Sequence, residues 1–296
     1  MLSVVMSGLN AAQKELEVTS NNIANAGTVG FKSSEASFAD VFANDPSADP
    51  KTAIGSGVIA NSVMRSTSQG SMSTTGNVTD LAIAGSGFFT LGTPGDTPTL
   101  SYTRAGSFGL TLGPSMADPT STATPPATVN SMVLTSTGGL QVQCFKPTDS
   151  VAGTFPNSPP LGTDPAGPIQ IPQTCNGGAL SGVSVSSDGT VSATYADANN
   201  TKLTIGMLKM ANFAVPSALK AIGNTNFTQS QASGSPRYSG AGAPNSGEIM
   251  SGTLEQSNVD MTQSLMQMIK AQQIYNGNAR MLQTAVEIGS RITDKL

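Results

Sequence analysis

Few side chains in this sequence are of the types that carry out enzymatic chemistry. The chain of 296 residues has no histidine, so no Ser-His-Asp or Cys-His nucleophilic system can be assembled, and the commonest general base is missing. Asp80, Asp96 and Glu255 are candidates for a carboxylate pair of the glycosidase kind, but most carboxylates on protein surfaces are simply solvated. The composition therefore predicts a protein that is not an enzyme.

The motifs that could hold a ligand are also incomplete. The glycines around Ser86 and Pro94 lack the Gly-Lys-Ser/Thr ending and the strand-to-helix context of a phosphate-binding loop. Asp197 begins a partial calcium-loop pattern that lacks the required glycine and the closing glutamate. We therefore expect turns at these places, and neither a metal nor a cofactor.

Cys144 and Cys175 are the two cysteines of the chain, which is too few for a four-ligand zinc set. They form either two separate thiols or one disulfide, and an oxidising exterior would favour the disulfide. The sequence leaves both alternatives open.

Charge and hydropathy exclude several classes of partner. The net charge is −4, only 11% of residues are charged, and no basic run occurs, which predicts no binding to nucleic acid or to anionic membrane. No stretch approaches the roughly 18 apolar residues that a membrane-spanning helix needs, so we expect no membrane insertion. The first ten residues lack the basic region of a secretory signal peptide, which predicts export by another route.

The last forty residues, from Leu254 to Leu296, carry the clearest periodic pattern. Apolar residues recur from Met261 in alternating steps of four and three, which is a heptad pattern. A second stripe runs through Met281, Ala285, Ile288, Ile292 and Leu296. Asp260 and Gln263 are spaced as a capping pair. A helix from there to Thr293 would be about 50 Å long, and its expected role is assembly.

The first residues predict a second amphipathic helix, which should end at Asn25-Ala26-Gly27 with Gly27 in the left-handed conformation. Because isolated helices are marginal in water, we expect the two terminal helices to pair with each other and then with further copies of the chain. One antiparallel helix pair packed on the sheet of a monomer is the alternative. The predicted interface residues are Leu2, Met6, Leu9, Leu16, Ile23, Met261, Leu265, Met268, Ile269, Tyr275, Leu282, Val286 and Ile292.

The middle of the chain predicts an antiparallel all-β domain. Short alternating runs are separated by glycines, and Asp188-Gly189 between valine-rich runs indicates a hairpin with a two-residue turn. We expect an α+β protein with long terminal helices in a coiled-coil-like inner domain and the β domain outside. Its predicted parts are a helical domain (1–27 and 255–296), an extended connector (28–70), a β domain (71–240, with Pro-rich loops at about 112–182) and a linker (241–254).

Five segments, in the same order along the chain, resemble the bacterial flagellar rod and hook axial proteins. They are residues 21–32, 69–77, 80–89, 102–108 and 252–260. The residues matching the family motifs most directly are Asn21, Asn22, Asn25, Gly30, Phe31, Leu254, Glu255, Ser257, Asn258 and Val259. The likeness covers both termini and most of the β domain.

Within that family, residues 7–12 and 37–42 are most similar to the hook proteins, and the rod proteins are the alternative. The chain is short for a hook subunit, because its Pro-rich segment stands where many hook proteins carry a whole outer domain. The resemblance implies a structural subunit of the extracellular flagellar hook, or alternatively of the periplasmic rod in the basal body.

The resemblance also implies how the subunit works. Many copies would form a hollow, flexible helical tube that transmits motor torque to the filament and passes exported subunits. Its partners would be rod and hook-filament junction proteins, the hook cap, and the flagellar type III export apparatus. A secreted β-rich adhesion module with a closed coiled coil is the alternative from another class.

Overall fold

The computed structural model describes residues 2–42, 55–95, 99–117, 128–146, 166–175, 177–197 and 200–293. The chain divides into two compact units. The helical unit comprises Met1–Thr28, Lys32–Ser68 and Ser257–Leu296. The β unit comprises Val29–Phe31 and Gln69–Gln256. A helix near each end and a large antiparallel sheet between them confirm the predicted α+β class.

The helical unit contains two helices and one β-hairpin. Its elements are α1 (Leu2–Ala24), β1 (Ser34–Phe42), β2 (Gly55–Arg65) and α2 (Met261–Thr293). The predicted cap of α2 is present, since the backbone N–H of Gln263 donates to the Asp260 carboxylate at 3.0 Å. At about 1.5 Å per residue, the 33 residues of α2 extend for about 50 Å and the 23 residues of α1 for about 34 Å.

The end of α1 differs from the prediction. Gly27 is not among the residues with positive φ, whereas Gly30 has φ +68°. The last carbonyls of α1 are instead satisfied locally. The Asn25 side-chain amide donates to the Asn21 carbonyl at 2.9 Å, and the Ala26 N–H donates to the Ile23 carbonyl at 3.2 Å. The side chain of Asn25 and a tightened last turn therefore terminate α1, whereas the prediction was a left-handed glycine at Gly27.

The segment 28–70, predicted as an extended connector, forms the hairpin of β1 and β2 in its described parts. The two strands pair antiparallel from Ser34↔Arg65 to Phe42↔Gly55. Ser, Ala and Gly are frequent in the two strands, and Ala and Gly have low β propensity, so the local pattern was weak. Tertiary contacts with α1 compensate for it, as described below.

The β unit consists of short strands. They are β3 (Met72–Thr74), β4 (Leu81–Ala84), β5 (Phe88–Gly92), β6 (Leu100–Thr103), β7 (Phe108–Leu112), β8 (Met116–Ala117), β9 (Thr128–Val129), β10 (Ser131–Ser136), β11 (Gln141–Phe145), β12 (Ala166–Pro168), β13 (Gln170–Pro172), β14 (Thr174–Cys175), β15 (Gly178–Val185), β16 (Thr190–Ala196), β17 (Lys202–Leu208), β18 (Met210–Asn212), β19 (Lys220–Gly223), β20 (Asn226–Thr228), β21 (Arg237–Ser239), β22 (Glu248–Ser251) and β23 (Thr253–Glu255). A 3-10 turn, Pro216–Ala218, precedes β19.

All described strand pairs of the β unit are antiparallel. The main sheet has the order β14-β15-β16-β17-β11-β5-β6-β20-β19, and β7, β10, β12, β13, β18 and β21 branch from it. Its interior holds two apolar clusters. The larger is built around Leu81, Phe89, Ile169, Tyr195 and Leu208, and the smaller around Tyr102, Phe213 and Phe227.

Two details of the β unit differ from the sequence analysis. The predicted hairpin is β15 and β16, but its turn has three residues, because Ser186 N–H bonds to the Thr190 carbonyl and Gly189 has φ +80°. The predicted linker 241–254 contributes β22, which pairs with β4, and β23 begins at Thr253 and pairs with β3. This segment belongs to the β unit because the sheet hydrogen bonds order it.

Within the described ranges, no helix is apolar over a length sufficient to cross a membrane. The same ranges contain no cluster of three or more potential metal-ligating side chains.

Candidate assembly surface

The two terminal helices pack on each other through small residues. Gly8 of α1 lies against Asn278 of α2, and a Cβ atom at Gly8 would be 2.8 Å from the Asn278 amide nitrogen. Near the other end, Thr19 of α1 lines one groove together with Ser264 of α2, so the helices run antiparallel. We call this contact the small-residue seam: Gly8, Ala12 and Thr19 on α1, and Ser264, Ala271 and Asn278 on α2.

The seam differs from the heptad pattern that the sequence analysis picked out. Ser264, Ala271 and Asn278 are spaced seven residues apart along α2. These residues, rather than the predicted heptad of large apolar residues, contact α1. Small side chains let two helix axes approach closely, and the large apolar residues then lie at the flanks of the contact. The helix pairing is observed within one chain, whereas a coiled-coil geometry stays a prediction.

Most of the predicted interface residues are left uncovered by their own chain. The exposed ones are Leu2, Met6, Met261, Leu265, Ile269, Tyr275, Val286 and Ile292. The half-buried ones are Leu9, Leu16, Ile23, Met268 and Leu282. Val4, Met266 and Ile274 are also exposed and were missed. Ile274 could have been predicted from sequence, because it is spaced by seven residues from Met281, which is in turn spaced by seven from Ile288.

The C-terminal part of α2 extends past α1. Because Gly8 lies opposite Asn278 in an antiparallel pair, Leu2 comes opposite about residue 284, whereas α2 continues to Thr293. Val286, Ile288 and Ile292 lie in this overhang, and each is 58–59% exposed. A monomeric protein in water rarely leaves such a row of large apolar side chains uncovered, so the helices form a candidate contact surface.

Two motif asparagines attach the hairpin to the helices. The Asn22 amide group, which is buried, exchanges two hydrogen bonds with the backbone of Ser34, at 2.7 and 2.9 Å. Asn258 accepts from the Ser33 N–H at 2.7 Å and donates to the Ser68 carbonyl at 3.0 Å. Asn258 therefore holds both ends of the hairpin next to the start of α2.

The hairpin also contacts α1 near the N-terminus. Ser7 Oγ accepts a hydrogen bond from the Val58 N–H at 3.2 Å. At the neighbouring Gly57, with φ +114°, a Cβ atom would lie 2.3 Å from the same oxygen. These contacts at its far end, with those of Asn22 and Asn258 at its base, hold the hairpin on the helix pair.

Replacing Asn22 or Asn258 by alanine should loosen the hairpin. Each substitution removes the partner of a part-buried backbone N–H, which costs roughly 1–3 kcal/mol. We expect amide hydrogen exchange in residues 33–42 to become about 10- to 100-fold faster, measured by mass spectrometry.

Asn21→Ala is the matched control, because Asn21 is an exposed neighbour in the same motif. Equal acceleration in Asn21→Ala would contradict the role that we assign to the two buried contacts.

The remaining motif residues are distributed over the two units. Gly30 lies so close to the backbone of Ala105 that a Cβ atom at Gly30 would be 2.4 Å from the Ala105 nitrogen. The Gly30 N–H donates to the Glu255 carbonyl at 2.8 Å. Phe31 is half-buried and Leu254 is buried. Ser257 and Val259 lie in the helical unit, where the Ser257 hydroxyl accepts from the Val259 N–H at 3.3 Å.

A buried ion pair joins two of the family segments. Arg104 Nη1 donates to Glu255 Oε2 at 3.2 Å, and Nη2 donates to the Gly85 carbonyl at 2.7 Å. The other carboxylate oxygen accepts from the Gly70 N–H at 3.0 Å. Burial lowers the pKa of the Arg104 guanidinium below its ordinary value, and the charge of Glu255 partly offsets this.

The two cysteines are buried thiols in the apolar core of the β unit. The Cys144 thiol donates weakly to the Gly167 carbonyl at 3.5 Å, and burial raises the pKa of Cys144 to about 12. Since the thiolate is the reactive form, Cys144 is protected from oxidation and alkylation in the folded unit.

Comparison with known proteins matches the two terminal helices separately. Residues 2–32 match the family model described as flagella basal body rod protein, and residues 250–294 match the model of the C-terminal region of flagellar basal body rod FlgEFG proteins. These two matches cover the whole of α1 and α2 together with the motif residues.

Full-length relatives extend this likeness over the whole chain. The flagellar basal-body rod protein FlgG of Agrobacterium fabrum is 30% identical over 100% of this chain and 98% of that protein. FlgG of Caulobacter vibrioides is 30% identical over 96% of this chain and 94% of that protein. The flagellar hook protein FlgE of Brucella abortus is 29% identical over 97% and 96%, respectively. The names of these relatives describe rod and hook proteins, in agreement with the prediction that the chain is not an enzyme.

Proposed function

Since this chain belongs to the bacterial flagellar rod and hook axial proteins, we propose that it is a structural subunit of the flagellar rod. The sequence resemblance favours the hook, with the rod as the alternative. The relatives support that alternative better, because FlgG rod proteins from several bacteria align with the whole chain.

The length of the alignments is the observation that carries the rod proposal. The alignment with the Agrobacterium rod protein has 308 positions against the 296 residues of this chain, a difference of 12. The alignment with the Brucella hook protein has 392 positions, a difference of 96. Against the hook relative, the chain lacks in total about as many residues as a small domain contains. Against the rod relatives, it has nearly the same length.

The hook remains a second candidate function. Identity to the hook protein of Brucella abortus is 29%, close to the 30% for the rod protein of Agrobacterium fabrum. Residues 7–12 and 37–42 also resemble the hook branch. A chain of this kind would be a hook subunit without the additional outer part.

The proposed mechanism is open-ended self-assembly through the terminal helices. A helix with an uncovered apolar stripe gains stability when a neighbour covers it, and each buried Leu, Ile or Met contributes about 1.5–3 kcal/mol. A contact between two different faces whose rotation does not close generates an open helical assembly rather than a ring when it is repeated. In this proposal the partners are further copies of the chain, adjoining axial proteins at each end and the flagellar type III export apparatus.

The proposal is tested by deleting the gene in the bacterium that encodes it and examining isolated basal bodies by electron microscopy. A rod subunit predicts loss of the rod together with the hook and filament. Basal bodies with a complete rod and no hook would reject the rod assignment in favour of the hook. Restoring the gene should restore the whole structure, which controls for effects on neighbouring genes.

A further inference from the structure

A polar groove lies within the helical unit, where the second half of α1 meets the start of α2. The first residues of β1 form its third wall, and its volume is about 170 Å³. A single bound water needs roughly 10–15 Å³, whereas sites for drug-sized ligands measure roughly 300–1,000 Å³. The groove therefore has room for a ligand of a few non-hydrogen atoms.

Two buried hydroxyl groups are open to this groove. Thr19 of α1 and Ser264 of α2 both line it, and they are only 3% and 6% exposed. Within the described ranges, neither hydroxyl forms a hydrogen bond. By contrast, the exposed hydroxyls of Thr284 and Ser290 each donate to the carbonyl three residues earlier in α2. Polar groups as buried as Thr19 and Ser264 nearly always have a partner, so these two hydroxyls indicate a bound group.

The groove is also negatively charged. Three carboxylates line it, from Glu15 on α1, Glu35 on β1 and Asp260 at the start of α2, and no described lysine or arginine does so. Lys32 and Arg65 are close to Glu35 in the hairpin, but neither belongs to the lining. In the part of the chain that the structure describes, Glu15 and Glu35 form no ion pair. A cation in the groove would therefore be stabilised by their charge.

An anion and a metal ion fit the groove less well. The first turn of a helix attracts anions, but the Asp260 carboxylate already accepts from the Gln263 N–H at 3.0 Å and offsets the positive end of α2. The described residues include no group of three acidic, histidine or cysteine side chains placed to hold a metal. The remaining class of ligand is an organic cation that donates hydrogen bonds.

We propose that the polar groove binds a small organic cation with a guanidinium group. A guanidinium is planar and carries several N–H donors that point in different directions, whereas the three donors of an ammonium share one nitrogen. The acceptors of the groove are spread over α1, β1 and α2, which favours the guanidinium. Its N–H groups donate to Thr19 and Ser264, and its charge is offset by Glu15 and Glu35. This site is separate from the proposed function, which does not depend on it.

A ligand-observed NMR titration of the full chain with methylguanidinium chloride tests the site. We expect saturable binding of one methylguanidinium per chain. Tetramethylammonium is the matched control ligand, because it has the same charge and no N–H donor, and it should not compete. Equal competition by tetramethylammonium would show that only the net negative charge of the chain is sensed. Displacement by magnesium chloride at equal ionic strength would show a metal site. Either result, or no saturable binding, overturns the proposal.

Two variants of the full chain locate the binding within the groove. Glu35→Gln removes a charge, and Thr19→Val removes a hydroxyl while keeping the size of the side chain. Each should weaken methylguanidinium binding by about tenfold, the loss expected for one hydrogen bond between charged partners or one acceptor in a buried site. Circular dichroism should show unchanged helix content in both.

Glu17→Gln is the matched control variant, because Glu17 lies on α1 two residues from Glu15 but pairs with Lys14 outside the groove. It removes the same charge from the chain and should bind methylguanidinium as the unmodified chain does. An equal loss of affinity in Glu17→Gln and Glu35→Gln, or full affinity in Thr19→Val, would reject the groove as the binding site.

Discussion

A chain truncated after Ser264 should form no tubes, while its β unit remains folded. The truncation removes nearly all of α2, and with it every exposed large apolar residue of that helix except Met261, together with Ala271 and Asn278 of the small-residue seam. The β unit has its own apolar core and its own strand pairing, and its last strand, β23, ends at Glu255. The expected result is complete loss of polymer in electron microscopy, with an unchanged thermal transition of the β unit.

A chain lacking only residues 294–296 is the control for this truncation, because it keeps all of α2. It should assemble as the full chain does. Tubes formed by the chain truncated after Ser264 would reject the terminal helices as the assembly surface. A truncated chain that loses the cooperative unfolding of its β unit would contradict the division into two units.

Breaking the Arg104–Glu255 pair should produce the largest loss of stability of any single substitution considered for this chain. Glu255 is completely buried, and its carboxylate accepts hydrogen bonds from Arg104 and from the Gly70 N–H. Arg104→Met removes the guanidinium from this buried carboxylate, and breaking a buried ion pair in this way costs roughly 3–5 kcal/mol. For a unit of this size we expect the melting temperature to fall by roughly 10 °C, measured by calorimetry.

The exposed pair of Glu287 and Arg291 is the matched control for the buried pair. The N–O distance is 3.2 Å in the buried pair and 2.7 Å in the exposed pair. The side chains of Glu287 and Arg291 are 61% and 75% exposed, respectively. Arg291→Met should change the free energy of unfolding by less than about 1 kcal/mol. A double variant, Arg104→Met/Glu255→Leu, should lose less stability than the two single changes together, because both members of the pair are then removed. Additive losses would mean that the pairing itself contributes little.

Several features of this protein could be predicted from sequence because they depend on local patterns. The repeat of apolar residues from Met261 predicted α2, and Asp260 at the capping position predicted its first residue. Glycines between alternating runs predicted the short antiparallel strands, and the ordered family segments predicted the rod and hook axial family, which the relatives confirm. Periodicity and capping are properties of neighbouring residues, so no tertiary information was needed.

The hairpin of β1 and β2 could not be predicted in the same way. Its strands are rich in Ser, Ala and Gly, and they are held by the side chains of Asn22 and Asn258, the second of which lies 225 residues from its partner Ser33. Motif asparagines were recognised as family residues, but nothing local indicates which backbone groups they bind. The chain has to bring α1 and the start of α2 together before these contacts exist.

The sequence by itself determined that each end of this chain is an amphipathic helix, because apolar residues that recur every 3.6 positions can be read directly from the sequence. Only the tertiary structure decided which stripe each helix uses within the molecule. The close approach of α1 and α2 selects Gly8, Ala271 and the other small residues for the internal contact and leaves Leu265, Met281 and Ile288 outside it. Helix packing depends on how closely the two helix axes can approach. That distance is set by the side chains of α1 and α2 together, so the sequence pattern of one helix alone does not determine it.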